Sequence, residues 1–530
     1  MILGDIMFNF FKSKEPKKPK STGTNIPEDS QNNSSTQIPK SIDRVRGLLN
    51  QEFSLCSDFN LREINLGKVN TRIIIASIDG FFDKAILAEN IIEPIMNYSG
   101  DKNCSSVFTL LKENVLSISD LKELYSFKDS IAGILTGDVV LFIDGEDKAF
   151  NIGLKAPEKR PVGEPDTETS LKGSREGFSE SLRTNIVLIR RRIKNSKFKV
   201  ENLVLGEQTN TDIAFCYIQG IAAPEVVEEV KNRLNRINTD SILATGYMEQ
   251  FIQDGKMPFF PMVGNSEKPD KVAAKLLEGR VAILADGTPT VLTVPFLMIE
   301  SFQAQEDYFG EYYFASFMRL LRLMSFFISV YLPGLYVAVI SFHQTIIPFK
   351  LMLTMAATRE GIPFSAFIEA LIMVITFEIL REAGLRMPRA IGQAVSIVGA
   401  IVLGDAAVNA GIASAPLVII AALAGICSFI VPPLMKVGAI LRIIILIAAN
   451  VLGLLGIGFV TYMFTIYLCG KKSFFVPILS PFAPFHGEGL KDSFVVAPIW
   501  SMFNRPRSLT KGQNRKRTTG KTFAPRGSKK

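Results

Sequence analysis

Ionisable side chains set inside an apolar stretch constrain this chain more than any other feature. Residues 359–411 lie in a region with the apolar density of a membrane domain, yet they carry Glu369, Glu378, Arg381, Glu382, Arg386 and Asp405. Each such group costs about 2.5–3.5 kcal/mol at the centre of a spanning helix. They persist where a partner, a cavity or a water path receives them, so function is sought here first. The apolar density is one-sided along the chain. Before about residue 320 no charge-free run approaches the ~18 residues that mark a span. From 323 onward such runs dominate. The expected fold class is an α/β or α+β soluble N-terminal half in two subdomains, followed by an α-helical multi-span membrane domain.

Composition shifts place the boundaries. Residues 1–41 form a Lys/Pro/Ser-rich tail with too little to bury, and disorder is expected there. Residues 42–152 read as a first cytoplasmic α/β subdomain. It has a helix at 42–51, a β-rich run at 72–78, a helix near 81–96 and a closing hairpin around Asp144-Gly145. A Pro/Gly-rich linker, 153–179, leads to a second subdomain, 180–312. There SESLRTNIVLIRRRI has helical spacing, and KVENLVLG and DIAFCYIQG read as paired strands. PEVVEEVKNRLNRI opens a helix on proline, where the missing N–H costs nothing. Asp270 is expected to cap the helix KVAAKLLE, which Gly279 ends, before a strand pair around Asp286-Gly287.

The membrane domain, 313–470, offers candidate spans at 323–342, 365–382, 390–411, 415–434 and 443–468. The segment 346–357 is too short to cross and fits a re-entrant or interfacial helix. The tail 471–530 has thirteen Lys or Arg against Glu488 and Asp492, so it is more basic than the whole chain, whose net charge is +8. A basic tail after the last span marks the cytoplasmic side. With the soluble half also cytoplasmic, crossings must be even in number, whereas five candidates are visible. Either one fails to cross or 346–357 contributes to a sixth, which leaves four to six spans.

Enzyme classes find little support. The two histidines, His343 and His486, stand in unrelated contexts, and the five cysteines are scattered without a CxxC pair. Neither a metal site nor a disulfide framework is expected. Gly470-Lys471 resembles the end of a phosphate loop, but Thr465 stands where its first glycine belongs. Gly453, Gly456 and Gly458 suit close helix packing better than nucleotide binding. No catalytic residue and no cofactor is assigned. The basic run KGQNRKRTTGK lacks a reader fold, so no nucleic-acid partner is expected. The N-terminus has no cleavable signal pattern.

The charges in the apolar half are more informative. Glu378, Arg381 and Glu382 stand at i, i+3 and i+4 and share a helix face, either as a self-neutralised patch at the membrane boundary or as an ion site. Glu369 lies half a turn away around the axis and is expected at a water-facing port or a contact with another subunit. In the stretch 390–411, Val395, Val398, Val402, Asp405 and Asn409 recur on one face. Gly392, Ser396, Gly399 and Ala400 lie on a neighbouring face and allow close helix approach. Copies of this helix could surround a pore, with the valines as an apolar constriction and Asp405 as a cation-attracting ring. The alternative is valines against lipid and Asp405 among headgroups.

Taken together, the blocks EGFSESLRTNIVLIRRRIK, DKVAAKLLEGRVAILADGTPTVL, LYVAVISFHQTIIP, REGIPF, EALIMVITFEILREAGLRMPRAIGQAVSIVG and LSPFAPF resemble the A-subunit family of GerA-type spore germination receptors. The resemblance runs from about residue 41 to 506. It implies a germinant-receptor subunit in the spore inner membrane, with a permease-like B subunit and a lipoprotein C subunit as partners. It further implies self-association into a ring, contact with membrane lipid and a nutrient-gated ion channel. Thr345 and Val374 stand where the family pattern has Glu, Asp405 where it has Gln, and Val496 where it has a basic residue; Asn409 is also atypical. Two alternatives remain: a secondary carrier that uses Glu369 and Glu378 as coupling carboxylates, and a non-conducting scaffold.

Overall fold

The computed structural model describes residues 37–67, 71–98, 107–112, 120–154, 163–165, 168, 172–255, 258–387, 402–502 and 504–510. Its N-terminal part contains two five-stranded antiparallel sheets of one topology. The first unit runs α1 (Ile42–Glu52), β1 (Phe59–Leu66), β2 (Thr71–Ile78), β3 (Leu121–Leu124), α2 (Phe127–Thr136), β4 (Val139–Ile143) and β5 (Ala149–Ile152), with sheet order β1-β2-β4-β5-β3. The second runs α3 (Leu182–Arg190), β6 (Phe198–Leu205), β7 (Thr211–Ile218), α4 (Pro224–Asn235), α5 (Thr245–Ile252), β8 (Gly264–Ser266), α6 (Pro269–Leu277), β9 (Val281–Ala285) and β10 (Val291–Val294), with order β6-β7-β9-β10-β8. The central strands β4 and β9 are buried along their whole length, which explains their unbroken apolar sequences. At the edge, β1 alternates exposed residues with half-buried or buried ones and carries Arg62 and Glu63, so its sequence lacks the unbroken apolar run of the central strands.

Each unit closes on the same device. The Asp-Gly turn of the last hairpin also holds the opening helix. Asp144 Oδ1 accepts from Ile42 N at 3.1 Å, and Asp286 Oδ1 accepts from Leu182 N at 2.9 Å. The following glycines, Gly145 and Gly287, have φ of 88° and 78° and donate to Lys40 O and Glu180 O. A carboxylate at a helix N-terminus satisfies an otherwise orphaned donor and meets the positive end of the helix dipole. One expectation is corrected: α6 starts at Pro269 with Lys268 as cap, so Asp270 lies in the first turn rather than capping it. Proline's preset φ favours the earlier start.

The two units join at their edges. Cys56 bridges Val200 of edge strand β6 in parallel fashion, with Ser57 N donating to Val200 O at 2.9 Å. Beside this bridge Arg190, 1% exposed, grips Asp58 with two hydrogen bonds, Nη2 to Oδ1 at 2.7 Å and Nε to Oδ2 at 2.5 Å.

The described residues from Tyr312 to Gly470 are mainly helical: α7 (Tyr312–Phe342), α8 (Phe349–Arg359), α9 (Ala366–Arg386), a helix over 402–409, α10 (Ala415–Phe429) and α11 (Met435–Gly470). Among the described residues two helices, Tyr312–Phe342 and Pro432–Gly470, are long and apolar enough to cross a membrane. The second is not one rod. Gly453 has φ 60° and ψ −137°, and a Cβ on Gly456 would lie 2.1 Å from Ala448 O. Residues eight apart in a straight helix are separated by about 12 Å along the axis. The chain therefore reverses at Gly453, and α11 is a hairpin of two arms, 435–452 and 454–470.

The first arm runs parallel to α7: Gly438 faces Val330, Gly334 faces Ile445, and Gly453 meets Phe342 and His343. The second returns, with Thr461 Oγ1 donating to Tyr331 OH at 3.2 Å and Tyr467 OH accepting from Phe259 N at 3.1 Å. The single span expected at 443–468 is corrected to this hairpin. Only glycine adopts Gly453's backbone without a clash. The span expected at 415–434 is also shorter, since its α-helix ends at Phe429 before Pro432 and Pro433.

Beyond α11 the chain docks on the second unit. Ser473 Oγ donates to Met262 O at 2.7 Å, and Phe474, fully buried, sits under the Arg233 guanidinium at 4.2 Å. The linker after β10 is anchored by Glu300, which pairs with Arg280 at 2.8 Å and Lys275 at 2.9 Å. Burial opposes the charged form of Glu300, but Arg280 and Lys275 outweigh it and hold the carboxyl at about 2.

Two outcomes follow. Replacing Arg190 by Met strands the Asp58 charge and should cost roughly 3–5 kcal/mol in chemical unfolding followed by circular dichroism, with much of it recovered in R190M/D58L. Because the Glu300 value is depressed from 4.5 to about 2, its stabilisation is complete above pH 4.5 and lost as pH falls toward 2. E300Q should therefore be less stable at neutral pH and show a flatter stability profile across that acid window.

Candidate functional site

Four helices present polar groups to one another inside the apolar bundle. Glu369, in the first turn of α9, is 0% exposed. Its Oε1 accepts from Ser414 N at 2.6 Å and from Ser414 Oγ at 2.5 Å, while Arg359 Nε at the end of α8 stands 3.5 Å from Oε2. Ser414 caps α10 and lies 3.2 Å from Tyr336 OH of α7. One carboxylate thus binds α8, α9 and the start of α10 together. Sequence reading placed Glu369 at a water-facing port or a contact with another subunit. In the structure, partners from its own chain enclose it.

Two turns further along α9, Glu378 Oε1 accepts from Arg442 Nη1 at 3.0 Å and also pairs with Arg381. Arg442, 1% exposed, donates from Nε to Ser329 O at 2.7 Å and from Nη2 to Ser329 Oγ at 2.6 Å. This second cluster binds α7, α9 and the first arm of α11. The two clusters give α9 its direction: Glu369 lies level with Tyr336 and Glu378 with Ser329, so α9 runs antiparallel to α7. Glu382, expected beside Glu378 and Arg381, instead pairs with exposed Arg386 at 2.7 Å.

Arg442, Arg359 and Ser414 escaped the sequence reading. Arg442 borders an apolar run and reads as a boundary residue, and only the fold shows that it faces Glu378. A lone cation beside a run holding an unmatched carboxylate was the available signal.

The helix over 402–409 contrasts with these clusters. Val402 is 57% exposed, and Asp405 and Asn409 are exposed, with Asn409 Nδ2 donating to Asp405 Oδ2 at 3.1 Å. Among the described residues Asp405 has no cationic partner. The described members of the expected valine–aspartate–asparagine face therefore lie open together. Gly404 is buried against Val418, on the opposite side. Val395, Val398, Gly392, Ser396, Gly399 and Ala400 lie outside the described residues.

Comparison with known proteins bears on the whole of this architecture. The family model for the Bacillus/Clostridium GerA spore germination protein matches residues 47–508. Spore germination protein KA of Bacillus subtilis is 43% identical over 464 residues, 87% of this chain and 85% of that protein. Spore germination protein GerLA of Bacillus cereus is 36% identical over 463 residues, 87% of this chain and 94% of that protein. Among solved structures, the N-terminal domain of the A subunit of the Bacillus megaterium spore germinant receptor GerK3 is 30% identical, covering 50% of this chain and 98% of that one, with a TM-score of 0.39. A family match that runs from α1 through both sheets and the helical bundle to the docked tail, with relatives sharing more than a third of their residues over the same length, makes this chain a member of the Bacillus/Clostridium GerA spore germination protein family, of the A-subunit type.

Proposed function

We propose that this chain is the ion-conducting A subunit of a nutrient germinant receptor in the spore inner membrane. It works with a permease-like B subunit and a lipoprotein C subunit, and copies of it form a ring. The observation that carries the reading is the contrast between paired and unpaired carboxylates. Glu369, Glu378 and Glu382 each hold an arginine of their own chain, whereas exposed Asp405 has, among the described residues, Asn409 and no cation beside it. An unmatched carboxylate on an apolar helix calls for water or a neighbouring copy, and a ring of such helices supplies both.

The helical half is read as multi-span. With the span expected at 390–411, of which only 402–411 are among the described residues, helices α7, α9 and α10 and the two arms of α11 would make six crossings. That even number leaves the soluble units and the docked tail on one face, and the 471–510 segment is already seated on the second unit. Each arm of the hairpin has a length of about 25–27 Å at 1.5 Å per residue, near the thickness of a hydrocarbon core. The carrier alternative needs carboxylates free to exchange a coupling ion, and Glu369 and Glu378 are both committed to arginines.

Purified chain with both partner subunits in a planar bilayer should give discrete cation conductance steps. D405N should lower the unitary cation conductance severalfold, and D405K should shift selectivity toward anions. V402A and V398A should leak without nutrient. Silence of the complete receptor would favour a scaffold, and unchanged selectivity in D405K would remove Asp405 from the path.

A further inference from the structure

Between the second α/β unit and the chain that leaves the bundle lies a cavity of about 280 Å³. One wall is the turn from α6 into β9, with Glu278 and Arg280; the others come from linker residues 297–303 and the segment 480–508. The charges around it do not cancel. Glu278 is held by Arg280. Asp492 is held by Arg319 at 3.0 Å and by Tyr308 OH at 2.9 Å. Burial pushes the Asp492 carboxyl above its ordinary value, against the pull of Arg319.

Lys491 and Arg507 line the same space, and among the described residues neither has a carboxylate partner. Arg505 also lines the cavity and is already engaged, its Nε donating to Leu277 O at 2.7 Å. Ser480 lines the cavity as well; it is 1% exposed, and its hydroxyl has no hydrogen-bond partner among the described residues. A buried hydroxyl without a partner costs free energy that a bound acceptor would recover.

The location narrows the ligand. The segment 480–508 touches α7 over its first two turns, through Asp492 on Arg319 and Ser316 on Val496. Those turns expose Tyr312, Tyr313, Phe314 and Phe317, an aromatic belt of the kind that sits at headgroup level. Phe485, on the cavity wall, is 72% exposed.

We propose that this cavity binds a phosphate-bearing anion at the membrane surface, either the headgroup of an anionic phospholipid or a free phosphate or phosphoester. The Arg507 guanidinium and the Lys491 ammonium, lining one cavity with a hydroxyl that has no partner among the described residues, suit phosphate oxygens. The volume accommodates a phosphate with a glycerol-sized substituent rather than a nucleotide. Bound there, the anion would tie the returning tail to the second unit at the foot of α7. The inference rests on the helical half lying in a membrane and does not depend on ion conduction.

The test uses the full chain in nanodiscs of phosphatidylcholine with and without phosphatidylglycerol. Retained lipid is read by native mass spectrometry and thermal stability is measured in parallel. Incorporation into the discs reports separately on the membrane reading. The wild type should retain phosphatidylglycerol and be stabilised by it. K491Q/R507Q should bind it roughly tenfold to thirtyfold more weakly, K491R/R507K should retain it, and the tail variant K516Q/R517Q should match the wild type. In a second arm, inorganic phosphate is titrated into phosphatidylcholine discs against chloride at equal ionic strength. Stabilisation in that arm alone, lost in K491Q/R507Q, identifies free phosphate as the source. Equal behaviour of wild type and K491Q/R507Q in both arms overturns the proposal, as does a loss that the tail variant reproduces.

Discussion

Buried arginines hold the junctions of this molecule. Arg190, Arg280, Arg319 and Arg442 are each no more than 3% exposed, and each lies where two separately built parts meet. Arg190 joins the first unit to the second through Asp58. Arg280 fixes the exit linker through Glu300, Arg319 clamps the foot of α7 to Asp307 and Asp492, and Arg442 pins the α11 hairpin to α9 through Glu378. A guanidinium suits this task because its fixed fork can satisfy a carboxylate and a carbonyl at once, and it stays charged when desolvated. Such pairs add specificity more than net stability, since desolvating both partners offsets much of their attraction. An apolar contact would tolerate sliding at these joints, whereas a bidentate pair permits one register.

The soluble part repeats one design. Both units have the same sheet order, and in both an Asp-Gly turn reaches back about a hundred residues to hold the first helix. The repetition places the edge strand β6 beside the approach to β1, where the Cys56–Val200 bridge joins them. An exposed sheet edge is a hazard for association, and here it is partly covered from within the chain. Of the two units, the second receives the tail among the described residues, through Ser473, Phe474 and Arg505, so it couples the bundle to the rest.

In the bundle, paired and unpaired polar groups divide the work. Glu369 and Glu378 lock α9 to its neighbours at two levels, and Ser414 links the first of these locks to the cap of α10. The helix over 402–409 enters that same cap, so the open face of Asp405 is carried by a rigid mount. A site held in this way can respond to a neighbour without the bundle repacking.

Much of the soluble fold was legible from local patterns. The Asp-Gly hairpins, the β6–β7 pair and the helix at Pro224 are set by turn chemistry and periodicity acting over a few residues. The charged edge strand β1 and the short β3 were not legible, because pairing with a neighbour rather than their own composition makes them strands. The apolar spans and their unusual charges were visible in the chain, as were Asp405 and Asn409 on one helical face. Their partners were not. Whether Glu369 meets water or Arg359, and whether Glu378 is neutralised by Arg381 alone or by Arg442 as well, depends on residues on other helices, Arg442 being 64 positions from Glu378. Local composition set where the chain could be helical, stranded or membrane-like, because those follow from short-range periodicity and solvation. The fold-back at Gly453 and the pairing of the buried charges came from long-range packing, because a backbone reversal and an ion pair are settled by what packs against them.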